Sequence, residues 1–239
     1  MEEKILLGIA TYDRKRYCLD EFIKSLIKIR TTYRKKIDII FIDNSKNKEH
    51  SNYIRGRGFE VIRAANEIEN LHERLTSVYN VLRSIFLKGT YTHLFVLEQD
   101  IFPPKDVIQR LLDHEKEIIS GVFWIKDNPC VMIDKGYMAE SERKGKGPEF
   151  NLKNRIFKYD FIETERLNES EPIKVFACGL GCVLMKRTVM QKVKFRVIKN
   201  LYNQWKGHND MFFYFDLKER KIPVYIDPTV KCRHDNDTY

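Results

Sequence analysis

No stretch of the chain approaches the roughly 20 consecutive apolar residues that a membrane-spanning helix requires, so no spanning segment is expected. The first residues, Met1-Glu2-Glu3-Lys4, are acidic where a secretory leader is basic and then apolar, and export is not expected either. The five cysteines (Cys18, Cys130, Cys178, Cys182 and Cys232) include no CxxC pair and are odd in number. That argues against a disulfide framework and a structural zinc site, and for a reduced, cytoplasmic setting. Internal repeats and low-complexity linkers are also missing, so the sequence reads as a single domain. Finally, the loop after the first apolar run, Thr11-Tyr12-Asp13-Arg14-Lys15-Arg16, contains no glycine. A glycine-rich phosphate loop at that place, the mark of a sugar nucleotidyltransferase, is therefore not present.

What is present can build a sizeable core: 43% of the 239 residues are hydrophobic and 12% aromatic, which excludes global disorder. The formal net charge of +9 suits phosphate-bearing partners such as a nucleoside diphosphate or an anionic lipid surface. The basic residues are dispersed among acids rather than gathered in a block. A nucleic-acid partner is therefore not expected, and a non-catalytic basic binding protein remains only an alternative.

The first hundred residues alternate between strand-like and helical patterns. Lys4 to Ala10 reads as a buried strand, and Leu19, Phe22, Ile23, Leu26 and Ile27 then mark one helix face. Ile37 to Ile42 is a second strand, ending in the turn Asp43-Asn44-Ser45, and Phe59 to Arg63 is a third. Leu71, Leu75, Val78, Tyr79, Leu82, Ile85 and Phe86 lie on one side of a long helix. His93 to Leu97 is a fourth strand, running into Glu98-Gln99-Asp100. Beyond Pro103-Pro104 come a helix carrying Val107, Ile108, Leu111 and Leu112, strands near Val122 to Ile125 and Val131 to Ile133, and a region from about 135 to 172 with few regular patterns, read as a flexible excursion over a substrate. Order resumes with Lys174 to Met185, a strand interrupted by Gly179 and Gly181, then a helix starting near Asn209-Asp210 and a strand at Val224 to Ile226. This order predicts an α/β fold with a mostly parallel central sheet flanked by helices.

Ligands of open α/β sheets lie beyond the carboxyl ends of the strands. Asp13, Asp43 and Asp100 fall at or just past such ends. An acid after the second strand can accept hydrogen bonds from a ribose or base, and acids after the fourth can hold a hard divalent cation against a diphosphate. Each has a plainer reading as well: Asp43-Asn44-Ser45 as an ordinary turn, Glu98-Gln99-Asp100 as a cap for the next helix, Asp13 as a loop acid and His234 as a surface residue. Cys178 and Cys182 read as small buried filler. Trp205 suits a sugar face and a core position equally.

Taken in order, these segments resemble the landmarks of GT-A glycosyltransferases, the family-2-like group in particular. The likeness rests on Ile9-Ala10-Thr11-Tyr12-Asp13-Arg14, Phe41-Ile42-Asp43-Asn44-Ser45, Leu97-Glu98-Gln99-Asp100, the glycine-bearing Cys178 to Arg187, Trp205-Lys206-Gly207-His208-Asn209-Asp210, and Ile226-Asp227-Pro228 through Arg233-His234. It implies a Rossmann-like GT-A fold in one domain, with about 1–100 as the nucleotide-sugar half and about 101–239 as the acceptor half. It also implies a donor such as a UDP- or GDP-sugar contacted by Thr11, Asp13, Asp43, Arg74 and Asp100, and a metal held by Glu98, Asp100 and His234. Asp210 would be the catalytic base toward the hydroxyl of a carbohydrate or lipid-linked acceptor, with inversion by direct displacement. A histidine ligand favours Mn2+ over Mg2+. Peripheral contact with anionic lipid at the inner membrane face is compatible with the basic surface.

The likeness has departures. Glu98 stands where the family's D-x-D motif more often has Asp, and Asn209 stands where Glu usually precedes the catalytic acid. Ala65-Asn66-Glu67-Ile68-Glu69-Asn70 replaces the usual glycine-rich segment.

Overall fold

The computed structural model of the protein describes residues 3–139, 149–152, 155–197 and 209–235. Alternating apolar and helical patterns give, in chain order, β1 (Ile5–Thr11), a 3-10 segment (Asp13–Cys18), α1 (Leu19–Thr32), β2 (Ile37–Asp43), α2 (Glu49–Gly56), β3 (Glu60–Arg63), α3 (Leu71–Lys88) and β4 (His93–Leu97). There follow β5 (Ile101–Phe102), α4 (Val107–Asp113), β6 (Ile118–Val122), β7 (Trp124–Ile125), β8 (Asn128–Pro129), β9 (Val131–Ala139), β10 (Glu149–Leu152) and β11 (Arg155–Phe161). The chain closes with β12 (Ile173–Val175), β13 (Ala177–Cys178), β14 (Cys182–Lys186), α5 (Arg187–Lys192), α6 (Asn209–Glu219), β15 (Val224–Lys231) and β16 (Arg233–His234).

Eight strands form the central sheet in the order β12-β15-β6-β14-β4-β1-β2-β3. β14 and β12 run against the other six strands. The sheet is therefore mostly parallel, as expected from the sequence. Its two faces are both buried, which is why the strands read as near-continuous apolar runs. The two-residue strand period sends Leu6 of β1 toward α3, beside Val78, Leu82 and Phe86, and sends Ile5, Leu7 and Ile9 toward α1, beside Phe22 and Leu26. Gly8 lets α3 approach closely, since a β-carbon there would lie 2.3 Å from a Leu82 methyl.

Three elements differ from the sequence expectation. Helix α2 interrupts the anticipated strand–strand succession; it is only eight residues long and largely polar, too short for a legible period. The strand expected to begin at Val122 instead ends there, because Ser120 and Gly121 are buried members of β6 rather than a break. Within 135–172, where few patterns are visible, β9, β10 and β11 join β13 in a four-stranded antiparallel sheet. Phe157 anchors it, wholly buried, 4.5 Å from the Phe176 ring and 6.1 Å from Phe215. The expected long strand at Lys174–Met185 is divided among β12, β13 and β14, crossing from one sheet to the other where Phe176 N–H bonds Met132 O.

Helix α6 is apolar almost all round, with Met211 through Phe215 and Leu217 buried, so it is wrapped on all sides rather than laid on the surface. Among the described residues no helix is long and apolar enough to cross a membrane.

Candidate active site

The C-terminal ends of β1, β2 and β4 converge on a polar cluster. Parallel register sets Thr11 beside Asp43 and Asp43 beside Arg63. Asp43 is wholly buried. One of its oxygens accepts from Ser45 N–H (2.9 Å) and Ser45 Oγ (2.5 Å), and the other faces Arg63 Nε at 3.7 Å. Ser45 Oγ also receives Asp13 N–H at 2.9 Å, tying the loop after β1 to the loop after β2. The Asp13 side chain itself is exposed.

Beside this cluster lies a histidine that sequence reasoning missed. His50 of α2 is 1% exposed, its Nε2 2.8 Å from Thr11 Oγ1, which in turn donates to Gln99 Oε1. With the threonine proton on Gln99, His50 Nε2 must donate, and Nδ1 is left as a buried acceptor without a partner. Burial holds the His50 pKa below the ordinary range despite nearby Asp43.

The second cluster is built by a long-range pairing. β5 pairs antiparallel with β16, setting His234 opposite Ile101 and Asp235 N–H on Asp100 O at 2.9 Å. The His234 ring is fixed from two further sides: Nδ1 lies 2.7 Å from Trp124 O, and the Phe123 ring packs edge-on at 5.6 Å. Phe123 is held by Gly179 and Gly181, at each of which a β-carbon would lie under 3 Å from the ring. That close packing is the local reason for glycines in the turn between β13 and β14. His234 Nε2 faces Asp100 Oδ2 at 3.5 Å.

On the other side of Asp100 stands Lys15, from the 3-10 segment, with Nζ 2.7 Å from Asp100 Oδ1 and 3.8 Å from Glu98 Oε2. The segment is held there by Gln99, wholly buried, whose amide donates to Lys15 O. Gln99 is thus a structural link between Thr11, Lys15 and the acids. Glu98 Oε1 accepts from Tyr79 OH at 3.1 Å.

Burial alone would raise the Asp100 pKa, but His234 and Lys15 outweigh it and hold the carboxyl below the usual carboxylate range. Burial opposes the charged form of His234 and of Lys15, yet the facing carboxylates raise both. The Tyr79 hydroxyl is pushed well above its ordinary value by burial first and then by the combined field of Glu98, Asp210 and Asp100. Asp210, half-buried in the first turn of α6, accepts Met211 N–H at 2.8 Å.

The structure thus brings Glu98, Asp100 and His234 together, joins Thr11 to them through Gln99, and sets Asp43 one strand away. Arg74 is not drawn in: its Nη1 donates to Ile68 O at 3.2 Å, and no hydrogen bond or ion pair among the described residues links it to the acids. Arg187, at the end of the glycine-bearing segment, closes the C-terminal end of α3, donating to the carbonyls of Phe86, Leu87, Gly89 and Tyr91. Trp205 and His208 lie outside the described residues.

For a divalent cation, the donor set fits at two positions. With Nδ1 donating to Trp124 O, Nε2 is the His234 nitrogen that would ligate beside Asp100 Oδ2, giving up its proton to the incoming cation. Among the described residues no three His, Cys, Asp or Glu side chains form a metal-holding group. The protein would therefore supply two donors and a bound diphosphate the rest. Glu98 is turned to Tyr79 and Lys15 instead.

No protein-family model matches the chain, and no curated protein matches it in sequence. Solved structures do. GalNAc-T7, with UDP, GalNAc and Mn2+, superposes with a TM-score of 0.59 at 16% identity, over 97% of this chain and 44% of that one. TarS 1-349 of S. aureus, in complex with UDP-GlcNAc, superposes with a TM-score of 0.53 at 10% identity, over 98% of this chain and 60% of that one. Both are GT-A glycosyltransferases, and the likeness shows that this chain has the GT-A, Rossmann-like fold. The chain spans less than two thirds of the length of either neighbour.

Proposed function

We propose that the protein is a glycosyltransferase that moves a sugar from a nucleoside-diphosphate donor to an acceptor hydroxyl. The observation that carries this reading is the meeting of Asp100 and His234. They are far apart in sequence but paired through β5 and β16 at the carboxyl end of the central strands. Fold-level likeness raises the prior and assigns no residue.

In this reading Asp100 and His234 hold the metal, Mn2+ in preference to Mg2+, with Glu98 as an outer partner. A bound cation supplies charge neutralisation to the departing diphosphate. Thr11, Asp13, Asp43 and Arg74 serve the nucleoside and phosphate side of the donor, about 1–100, which includes Asp100. Asp210 takes the proton from the acceptor hydroxyl as that oxygen attacks the anomeric carbon opposite the diphosphate, which inverts the centre. The acceptor is a carbohydrate or a lipid-linked sugar, bound by the half from about 101 to 239. A cytoplasmic setting, with peripheral contact at anionic lipid, is consistent with the basic surface.

The test is turnover. The protein is incubated with UDP- and GDP-sugars with and without Mn2+, and release of nucleoside diphosphate is followed. Release that requires metal supports the reading. No release from any donor, by transfer or hydrolysis, would sink it.

A further inference from the structure

A cavity of about 650 Å3 lies away from the acids, between the edge strand β12, strand β9 and the C-terminal end of α6. It shares no residue with the cluster around Asp100. Its volume is within the range that small-molecule sites occupy. The floor is apolar: Val175, Phe176, Ile222 and Val224 are all buried. The rim carries four cations, Arg166, Lys174, Lys218 and Lys221, and one acid, Asp134.

These cations are not equivalent. Lys218 is neutralised by Asp134, and Arg166 pairs with Glu169 at 3.3 Å. Lys174 and Lys221 are exposed, and no hydrogen bond or ion pair among the described residues engages either ammonium. Lys221 also occupies the left-handed backbone position that ends α6 (φ 56°), a site where glycine or asparagine sits without strain. The helix end is closed by Lys221 N–H on Lys218 O and Ile222 N–H on Leu217 O, each 2.9 Å. That closure fixes where the Lys221 side chain leaves the backbone, on the cavity rim. An apolar floor beneath two unpaired ammonium groups suits one ligand chemistry, a compact carbon skeleton bearing a phosphate.

We propose that this cavity is a second binding site, for a small organic phosphate. Val175, Phe176 and Ile222 receive the carbon skeleton, and Lys174 with Lys221 receives the anionic head. The assignment is independent of the transferase reading.

Phenyl phosphate and inorganic phosphate serve as probes, titrated by calorimetry, with the methyl resonances of Ile133 and Ile222 reporting the place of binding. The protein is compared with a Lys174→Gln, Lys221→Gln double variant, whose exposed positions leave folding intact, as its melting temperature verifies. The expected result is saturable 1:1 binding of phenyl phosphate that shifts both isoleucine methyls and weakens at least tenfold in the double variant. Inorganic phosphate, lacking the skeleton, binds at least tenfold more weakly. Equal affinity in wild type and variant, equal affinity for the two probes, or titration without saturation at those methyls would each overturn the proposal. Release of nucleoside diphosphate stays at the wild-type rate in the double variant, so the failure of either reading is visible separately.

Discussion

Lys15 stands where a cation bound by the acids would compete with it, and Lys15→Met measures that competition. Methionine keeps an unbranched apolar stem of similar reach and removes the charge. Across the 2.7 Å to Asp100, unit charges attract by about 6 kcal/mol at an effective dielectric of about 20, and across the 3.8 Å to Glu98 by about 4 kcal/mol. Desolvation of the ammonium and the carboxylates offsets most of this, several kcal/mol per ion. The side chains are 17% (Lys15), 11% (Asp100) and 31% (Glu98) exposed, so solvent screens the unpaired acids in part. The net loss expected without metal is about 2 kcal/mol, below the range for fully buried pairs. In a domain of this size that lowers Tm by about 4–8 °C. With Mn2+ the order changes. In the wild type the metal must displace the ammonium, whereas in the variant it meets free carboxylates and binds more tightly. At a hundredfold excess over Kd a metal stabilises by about 2.7 kcal/mol, enough to restore the variant. The assay is thermal unfolding in EDTA and across a Mn2+ titration. An unchanged Tm in EDTA, or a smaller Mn2+-induced shift in Lys15→Met than in the wild type, would refute the reasoning.

Four further outcomes are expected. Asp210→Asn lowers the rate of transfer by about 10²–10⁴ while UDP binding measured by calorimetry is unchanged, because in the proposed reaction the carboxylate acts only on the acceptor proton. Gly181→Ala puts a β-carbon 2.7 Å from the Phe123 ring, displaces the face that packs on His234, and weakens Mn2+ binding more than it lowers Tm. Arg187→Ala leaves four carbonyls at the end of α3 without their charged donor and costs about 3 kcal/mol in urea unfolding, with donor binding intact. Burial would raise the Asp227 pKa, but Thr229 and His114 hold it below the ordinary aspartate range. Its folded pKa lies below its unfolded one, so its contribution is full above about pH 4 and is lost as pH falls through the depressed value. Asp227→Asn should therefore flatten the acid limb of a stability–pH curve.

The fold was legible where burial imposes a period. β1, β2, β4, α1 and α3 are each announced by apolar residues at strand or helix spacing, because each is buried on a defined face. Of the antiparallel sheet of β9 to β11 only the start of β9, Val131 to Ile133, was announced; the rest mixes Lys, Asp and Asn with its apolar residues, and only Phe157 among its described aromatic side chains is fully buried. The same logic divides the site. Glu98, Asp100 and His234 could be anticipated because acids after a buried strand and a terminal histidine follow a known order. The groups that govern their charge could not. Lys15 belongs to a basic loop whose neighbours Arg14 and Arg16 are solvent-exposed, and nothing in its spacing says that it turns inward. It does so because Gln99, wholly buried, holds the Lys15 carbonyl, and a lone glutamine between two acids carries no pattern of its own. His50 was hidden for a related reason: it meets Thr11 of β1 from the short helix α2, a contact between segments 39 residues apart. Residues that touch ligands are constrained by chemistry and leave motifs. Residues that set the field around them are constrained by contacts between segments distant in sequence, and in this chain those contacts run from Lys15 to Asp100 and from Trp124 to His234.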